Sequence, residues 1–191
     1  PCPHKNLHNI MLAQHPFQSF SSRIGDIFFV FLGIALIMYW PALRNNFVFD
    51  DLFQVINNPW ITQFNHINDI FSHRVWFFSY SFPDGVNPYY RPIMHLVFMF
   101  EYAFFGLQAL PWHAINIIWH VINATLVFIF ILLFFKKIIP RIYTEHSSLK
   151  TPKATSLFVS AFFGAVLFLV HPLHTEVVNW IAAVPELALV S

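Results

Sequence analysis

Long apolar runs without a charged side chain constrain this chain more than any other feature. Residues 27–43 lie uninterrupted between Asp26 and Arg44. A membrane-crossing α-helix needs roughly 17 to 25 such residues. A second run, 112–135, ends at Lys136-Lys137, and a third occupies 154–170. A fourth begins near Val177. Only 10% of the residues are charged and 57% are hydrophobic, whereas a soluble domain is about one quarter charged. The expected fold is therefore an all-α integral membrane protein, a bundle of several spans. Tyr39 and Trp40 at the far end of the first run suit an interfacial aromatic belt.

Net charge is +1 and no basic run is present, which excludes a nucleic-acid partner. The single cysteine, Cys2, excludes an internal disulfide framework and a Cys-based metal site. Residues 1–26 are polar and contain His4, His8 and His15 without a signal-peptide pattern, so a cytoplasmic tail is expected. The chain opens at Pro1 and stops inside an apolar run, Leu187-Ala188-Leu189-Val190-Ser191, and is expected to be part of a longer protein.

Between the first two runs lies a mixed segment, 44–111. It carries Asp50, Asp51, Asp69, Asp84, Arg44 and Arg74, with turn signals at Asn57-Asn58-Pro59 and Pro83-Asp84-Gly85. Short membrane-surface helices are expected over 50–57 and 67–78. Residues 91–107 are apolar enough to suggest another span. Arg91, His95 and Glu101 argue against one, because a charge at bilayer depth costs a few kcal/mol or more. A non-spanning interfacial helix is predicted, opened by Pro92 and ended by Gly106 and Pro111.

Within 112–135, His113, Asn116, His120 and Asn123 recur at i, i+3, i+7 and i+10. At about 100° per residue they fall within an arc of roughly 80°. Such a stripe either lines a cavity or ties helices together by hydrogen bonds; the spacing leaves both open. The loop 136–153 carries Lys136, Lys137, Arg141, Lys150 and Lys153 against Glu145, and the positive-inside rule places it in the cytoplasm. With 91–107 not crossing, the acidic pair Asp50-Asp51 and the cluster His171, His174 and Glu176 then share the non-cytoplasmic face.

The Asp pair could cap a helix, bind a cation or act as a general base. His171, His174 and Glu176 lack the His-Glu-x-x-His spacing of zinc hydrolases, and Pro172 breaks the helix that would align the imidazoles. No metal site is expected there; binding of an anion or fixing of the loop fits better. Walker, dinucleotide and nucleophile-elbow motifs are missing, so no nucleotide cofactor and no serine hydrolase are expected.

Four blocks occur in order: Phe47-Val48-Phe49-Asp50-Asp51 with Ile56-Asn57-Asn58-Pro59; Tyr90-Arg91-Pro92; Phe105-Gly106-Leu107 with Pro111, His113, Asn116 and His120; and His171-Pro172-Leu173-His174-Thr175-Glu176. In this, residues 27–191 resemble the N-terminal transmembrane part of the O-mannosyltransferases that carry C-terminal tetratricopeptide repeats. These are enzymes of the GT-C class, with a multi-span bundle and interfacial helices in the first outer loop. The resemblance implies transfer of a hexose, with mannose expected, from a polyprenyl-phosphate sugar to a protein or glycan hydroxyl. Inversion at the sugar, a bacterial inner membrane or endoplasmic reticulum membrane, and a site on the non-cytoplasmic face are implied with it. Asp50 or Asp51 would be the catalytic base. Arg91, His171 and His174 would hold the phosphate, and Glu176 would contact the acceptor. The lipid-linked sugar is the donor substrate, and no cofactor is implied. Where the family is expected to carry Gly-Arg-Ala-Asp or Gly-Arg-Ala-Glu, this chain has Ala183-Val184-Pro185-Glu186, keeping an acid and lacking the arginine. The piece alone is expected to be inactive. The rival from another class is a non-catalytic membrane scaffold whose polar clusters only knit helices and whose repeats bind partners.

Overall fold

The structure is a computed structural model and describes residues 15–78, 89–145 and 153–190. The expectations for 1–14, for Pro83-Asp84-Gly85 and for Lys150 fall outside these residues. All regular structure among the described residues is helical.

Helix α1 (His15–Tyr39) starts well before the first apolar run, so the tail is helical from His15. Pro16 at its start costs nothing there, because the first N–H groups of a helix lack intrahelical partners. Pro41 converts its far end to a tight turn, Trp40–Arg44. After the first loop come α2 (Ile67–Ser72) and α3 (Pro92–Phe105), then the long α4 (Ala109–Glu145). The loop expected to begin at Lys136 instead starts as helix, which runs to Glu145. Helix α5 (Ala154–Val170) matches the third run. The run read as starting near Val177 is broken: α6 (His174–Asn179) ends at an extended Trp180, a tight turn spans Ile181–Ala183, and α7 (Val184–Val190) starts afresh with Pro185 in its first turn. Among the described residues, two stretches, Arg23–Arg44 and Ala109–Ile139, are long and apolar enough to cross a membrane.

Helices α1, α4 and α5 form one core. Ile27, Phe31, Ala35 and Tyr39 make the buried stripe of α1, and Ile117, Val121, Ala124, Phe128 and Leu132 that of α4. Helix α5 faces them with Ala161 and Ala165, both fully buried, and with Gly164, where a Cβ would lie 3.0 Å from Ile131 Cδ1. Small residues at this spacing let two helix backbones approach closely where lipid supplies no hydrophobic drive.

Helix α3 belongs to a second core. Met94, Phe98 and Met99 pack with Trp60, Ile61, Ile70 and Trp76 of the first loop and with Trp112, Ile181 and Val184. With 14 residues, α3 is about 21 Å long, against roughly 30 Å for a hydrocarbon core. Its partners are the loop segments at one end of the bundle, as suits a helix that does not cross. The helices expected over 50–57 and 67–78 are shorter than predicted. The first is a wide turn, Leu52–Ile56. The second ends at His73, whose N–H and Nδ1 both turn to the Asp69 carbonyl.

The polar stripe of α4 is buried, and its Asn116, His120 and Asn123 take the hydrogen-bonding role. Helix α5 ends at Val170, and the N–H of Leu173, which would continue the ladder to the Leu169 carbonyl, turns to His171 Nδ1 at 3.3 Å. Leu169 O is met instead by His120 Nε2 at 2.9 Å and by the Tyr39 hydroxyl at 3.1 Å. Asn116 Nδ2 donates to Trp180 O at 3.0 Å, and Asn123 Nδ2 to Leu187 O at 2.8 Å. These bonds tie the broken 171–187 segment to α4. A buried carbonyl left bare costs about 1–3 kcal/mol. Since Leu169 O has two donors, His120→Leu and Tyr39→Phe are each expected to cost about 1 kcal/mol, and the double variant more than their sum. Thermal unfolding in detergent measures this; strict additivity would mean the two donors do not share the acceptor.

Helix α3 also buries Glu101, whose oxygens have no hydrogen-bond partner among the described residues. Burial pushes its carboxyl up from 4.5 to about 8, so it carries a proton at neutral pH. A raised folded value means that stability is fully present below about 4.5 and is lost as pH rises through about 8. The melting temperature is expected to fall across this window, and Glu101→Gln to flatten the fall.

Candidate active site

The turn before the acidic pair is strained. Phe49 has φ +49°, in the left-handed region, at a cost of about 1–3 kcal/mol for a residue with a Cβ. What holds it is Asp51. The Asp51 N–H donates to the Val48 carbonyl at 3.0 Å, and the Val48 N–H donates back to Asp51 Oδ2 at 3.0 Å. Asp51 Oδ1 accepts the N–H of Ala182 at 2.7 Å. The side chain is fully buried and joins the first loop to the turn after α6. Burial raises its pKa, the two N–H donors oppose this, and the neighbouring Asp50 adds to the rise.

Asp50 is placed differently. Its side chain is half-buried and lines a cavity of about 480 Å³ with Asn45, Val48, Phe49, Glu176, Asn179 and Trp180. Gln54 Nε2 lies 3.5 Å from its Oδ2. Glu176 and Asn179 are three residues apart on α6, so they share one face. The indole N–H of Trp180 is buried without a partner among the described residues. The cavity thus offers two carboxylates and two carboxamides beside the apolar Val48 and Phe49. It suits a hydroxyl-bearing molecule, whose O–H can donate to a carboxylate while its oxygen accepts from a carboxamide.

Of the residues expected from sequence, the structure brings Asp50 and Glu176 to one cavity and sets Asp51 behind it. The other three are not among its lining residues. Arg91 pairs with Glu186 at 3.1 Å and lies over Tyr89, 5.2 Å from the ring centroid. His174 sits two residues from Glu176, about 200° around α6, and packs on Phe168 and His120 with ring centroids 4.4 and 5.1 Å away. Burial lowers its pKa, and His171 lowers it further. His171 accepts from the Leu173 N–H. Asn45, Asn179 and Trp180 were missed by sequence reasoning. Asn179 was within reach as the i+3 neighbour of Glu176; for Asn45 and Trp180 no local signal exists.

Over 158 residues, 83% of the chain, the sequence is 32% identical to the protein O-mannosyl-transferase F38B6.6 of Caenorhabditis elegans. The chain is similar to the protein O-mannosyl-transferases. It is also 25% identical over 156 residues, 82% of the chain, to the protein O-mannosyl-transferase TMTC3 of Homo sapiens. With TMTC1 of Mus musculus it shares 29% over 148 residues, 76% of the chain. The matched region makes up 20%, 15% and 14% of these relatives, so the chain spans a fifth of their length or less. No protein-family model matches the chain, and no solved structure does. The resemblance drawn from the four sequence blocks is thus the one the curated relatives display.

The two acids are separable by experiment. Asp51→Asn keeps an acceptor for Ala182 but turns an NH₂ toward the Val48 N–H, and is expected to cost about 1–3 kcal/mol. Asp50→Asn is expected to change stability by less than about 0.5 kcal/mol, as for a surface position. Thermal unfolding of both variants in detergent checks this.

Proposed function

We propose that this chain forms the membrane-surface part of a GT-C-type active site that transfers mannose from a polyprenyl-phosphate carrier to a hydroxyl of a protein or glycan. The observation that carries the reading is the meeting of Asp50 and Glu176, from the first loop and from α6, in one cavity of about 480 Å³. Names of the relatives support the transferase class.

In this mechanism Asp50 is the base. It takes the proton of the acceptor hydroxyl as that oxygen bonds to the anomeric carbon of the sugar. The bond from that carbon to the phosphate oxygen breaks, and its electron pair leaves with the polyprenyl phosphate. Attack opposite the leaving group inverts the configuration. Glu176 and Asn179 orient the hydroxyl. Asp51 acts through Asp50, holding the strained turn that aims it. The phosphate is met by Arg91, His171 or His174 only if the pair with Glu186 opens or the α6 start turns, since none of them lines the cavity. The expected location is an inner bacterial or endoplasmic reticulum membrane, with this cavity on the non-cytoplasmic face.

In the full-length protein, Asp50→Asn is expected to lower mannose transfer by at least about 10²-fold, the usual contribution of a positioned base, with an unchanged melting temperature. Asp51→Asn is expected to lose activity and stability together. Full transfer by the Asp50→Asn, Glu176→Gln double variant would leave the scaffold reading in its place.

A further inference from the structure

The strained turn carries a side chain that the fold does not use. Phe49 holds a left-handed backbone, φ +49°, where glycine sits freely and a residue with a Cβ does not. Its ring is 80% exposed and belongs to neither core. A strained backbone and an uncovered apolar ring thus fall on one residue, and strain of this kind gathers at ligand-binding positions. What the ring does meet is the cavity, whose wall it shares with Asp50, Glu176, Asn45 and Asn179. Asp51, bonded to the Val48 N–H, fixes the turn that sets ring and carboxylate side by side.

That wall selects among ligands. A single Ser or Thr hydroxyl would engage one of the four polar side chains and leave the ring bare. A lipid chain would cover the ring and strip water from two carboxylates, which is costly. A pyranose answers both halves. Its hydroxyls donate to carboxylates and accept from carboxamides around its edge, and its C–H face, free of hydroxyl oxygens, covers the negative face of an aromatic ring. We propose that Phe49 is the platform on which a pyranose stacks in this cavity, and hence a specificity-determining residue of the site. The proposal rests on the sugar-transfer reading of the cavity. The pyranose is the mannosyl head of the donor or the end of a glycan acceptor, which share this chemistry.

The test is saturation-transfer NMR on the full-length protein in detergent, irradiating aromatic ring protons. Mannose 1-phosphate is the probe for the donor head and methyl α-mannopyranoside the probe for a glycan end. Saturation is expected on the C–H protons of one face of a probe, and the probe that receives it names the source. Phe49→Gly should weaken binding of that probe by about tenfold and melt no lower than the wild type, since glycine relieves the turn. Phe49→Tyr and Phe49→Trp should keep the binding; Phe49→Leu, apolar without a ring, should not. Saturation of neither probe, or wild-type binding by Phe49→Gly, overturns the proposal. A lower melting temperature in Phe49→Gly would assign the ring to the fold, and saturation lost from detergent chains alone would assign it to the membrane; either overturns it too. Asp50→Asn separates the two readings. If it abolishes mannose transfer while Phe49→Gly transfers with an unchanged KM, the platform falls and the base stands. If it transfers normally while Phe49→Gly loses the probe, the platform stands and the base falls.

Discussion

The carbonyl of Leu169 is where this structure is decided. A helix that ends among apolar side chains leaves its last carbonyls without water or ladder partners, and burial makes that costly. Here the Tyr39 hydroxyl and His120 both reach Leu169 O, at 3.1 and 2.9 Å. The same face of α4 supplies Asn116 to Trp180 O and Asn123 to Leu187 O. One polar stripe therefore allows the chain to leave α5, turn twice and re-enter helix without stranding its backbone. The turn it stabilises is the one that presents Glu176, Asn179 and Trp180.

From the other side, the first loop is fastened to that turn by a single carboxylate. Asp51 accepts from Ala182 and closes the turn around Phe49. These contacts join distant parts of the sequence, and the cavity exists only where they meet. Acidity is divided accordingly. The buried acid is spent on backbone N–H groups, and its neighbour is left to face the cavity.

Much of the fold was legible in the sequence, because run length and charge spacing report directly on membrane-crossing helices. Helix α5 follows the 154–170 run, and Pro92 and Gly106 frame α3 as their backbone preferences require. The stripe His113, Asn116, His120 and Asn123 was visible too, but periodicity cannot say whether a polar face meets water or a carbonyl. The break at Trp180 was hidden, since the residues around it are apolar and the turn is held by distant side chains of α4. The site was half visible. Asp50 and Glu176 stood out as scarce charges, whereas the division of labour between Asp50 and Asp51 depends on the Ala182 N–H, which no local pattern announces. Arg91 was expected at the phosphate from the family resemblance alone; its ion pair with Glu186 across the fold was beyond reach of local pattern.

The account stands on the first loop and α6 forming one cavity. It is tested most directly in the full-length protein with its native cysteines replaced by Ser and new ones placed at Phe49 and Asn179, both of which line the cavity. A short bifunctional thiol reagent should bridge the two, and a membrane-impermeant thiol reagent added from one side should label both. Cysteines that each label but never bridge, or that label from opposite sides, would contradict the account.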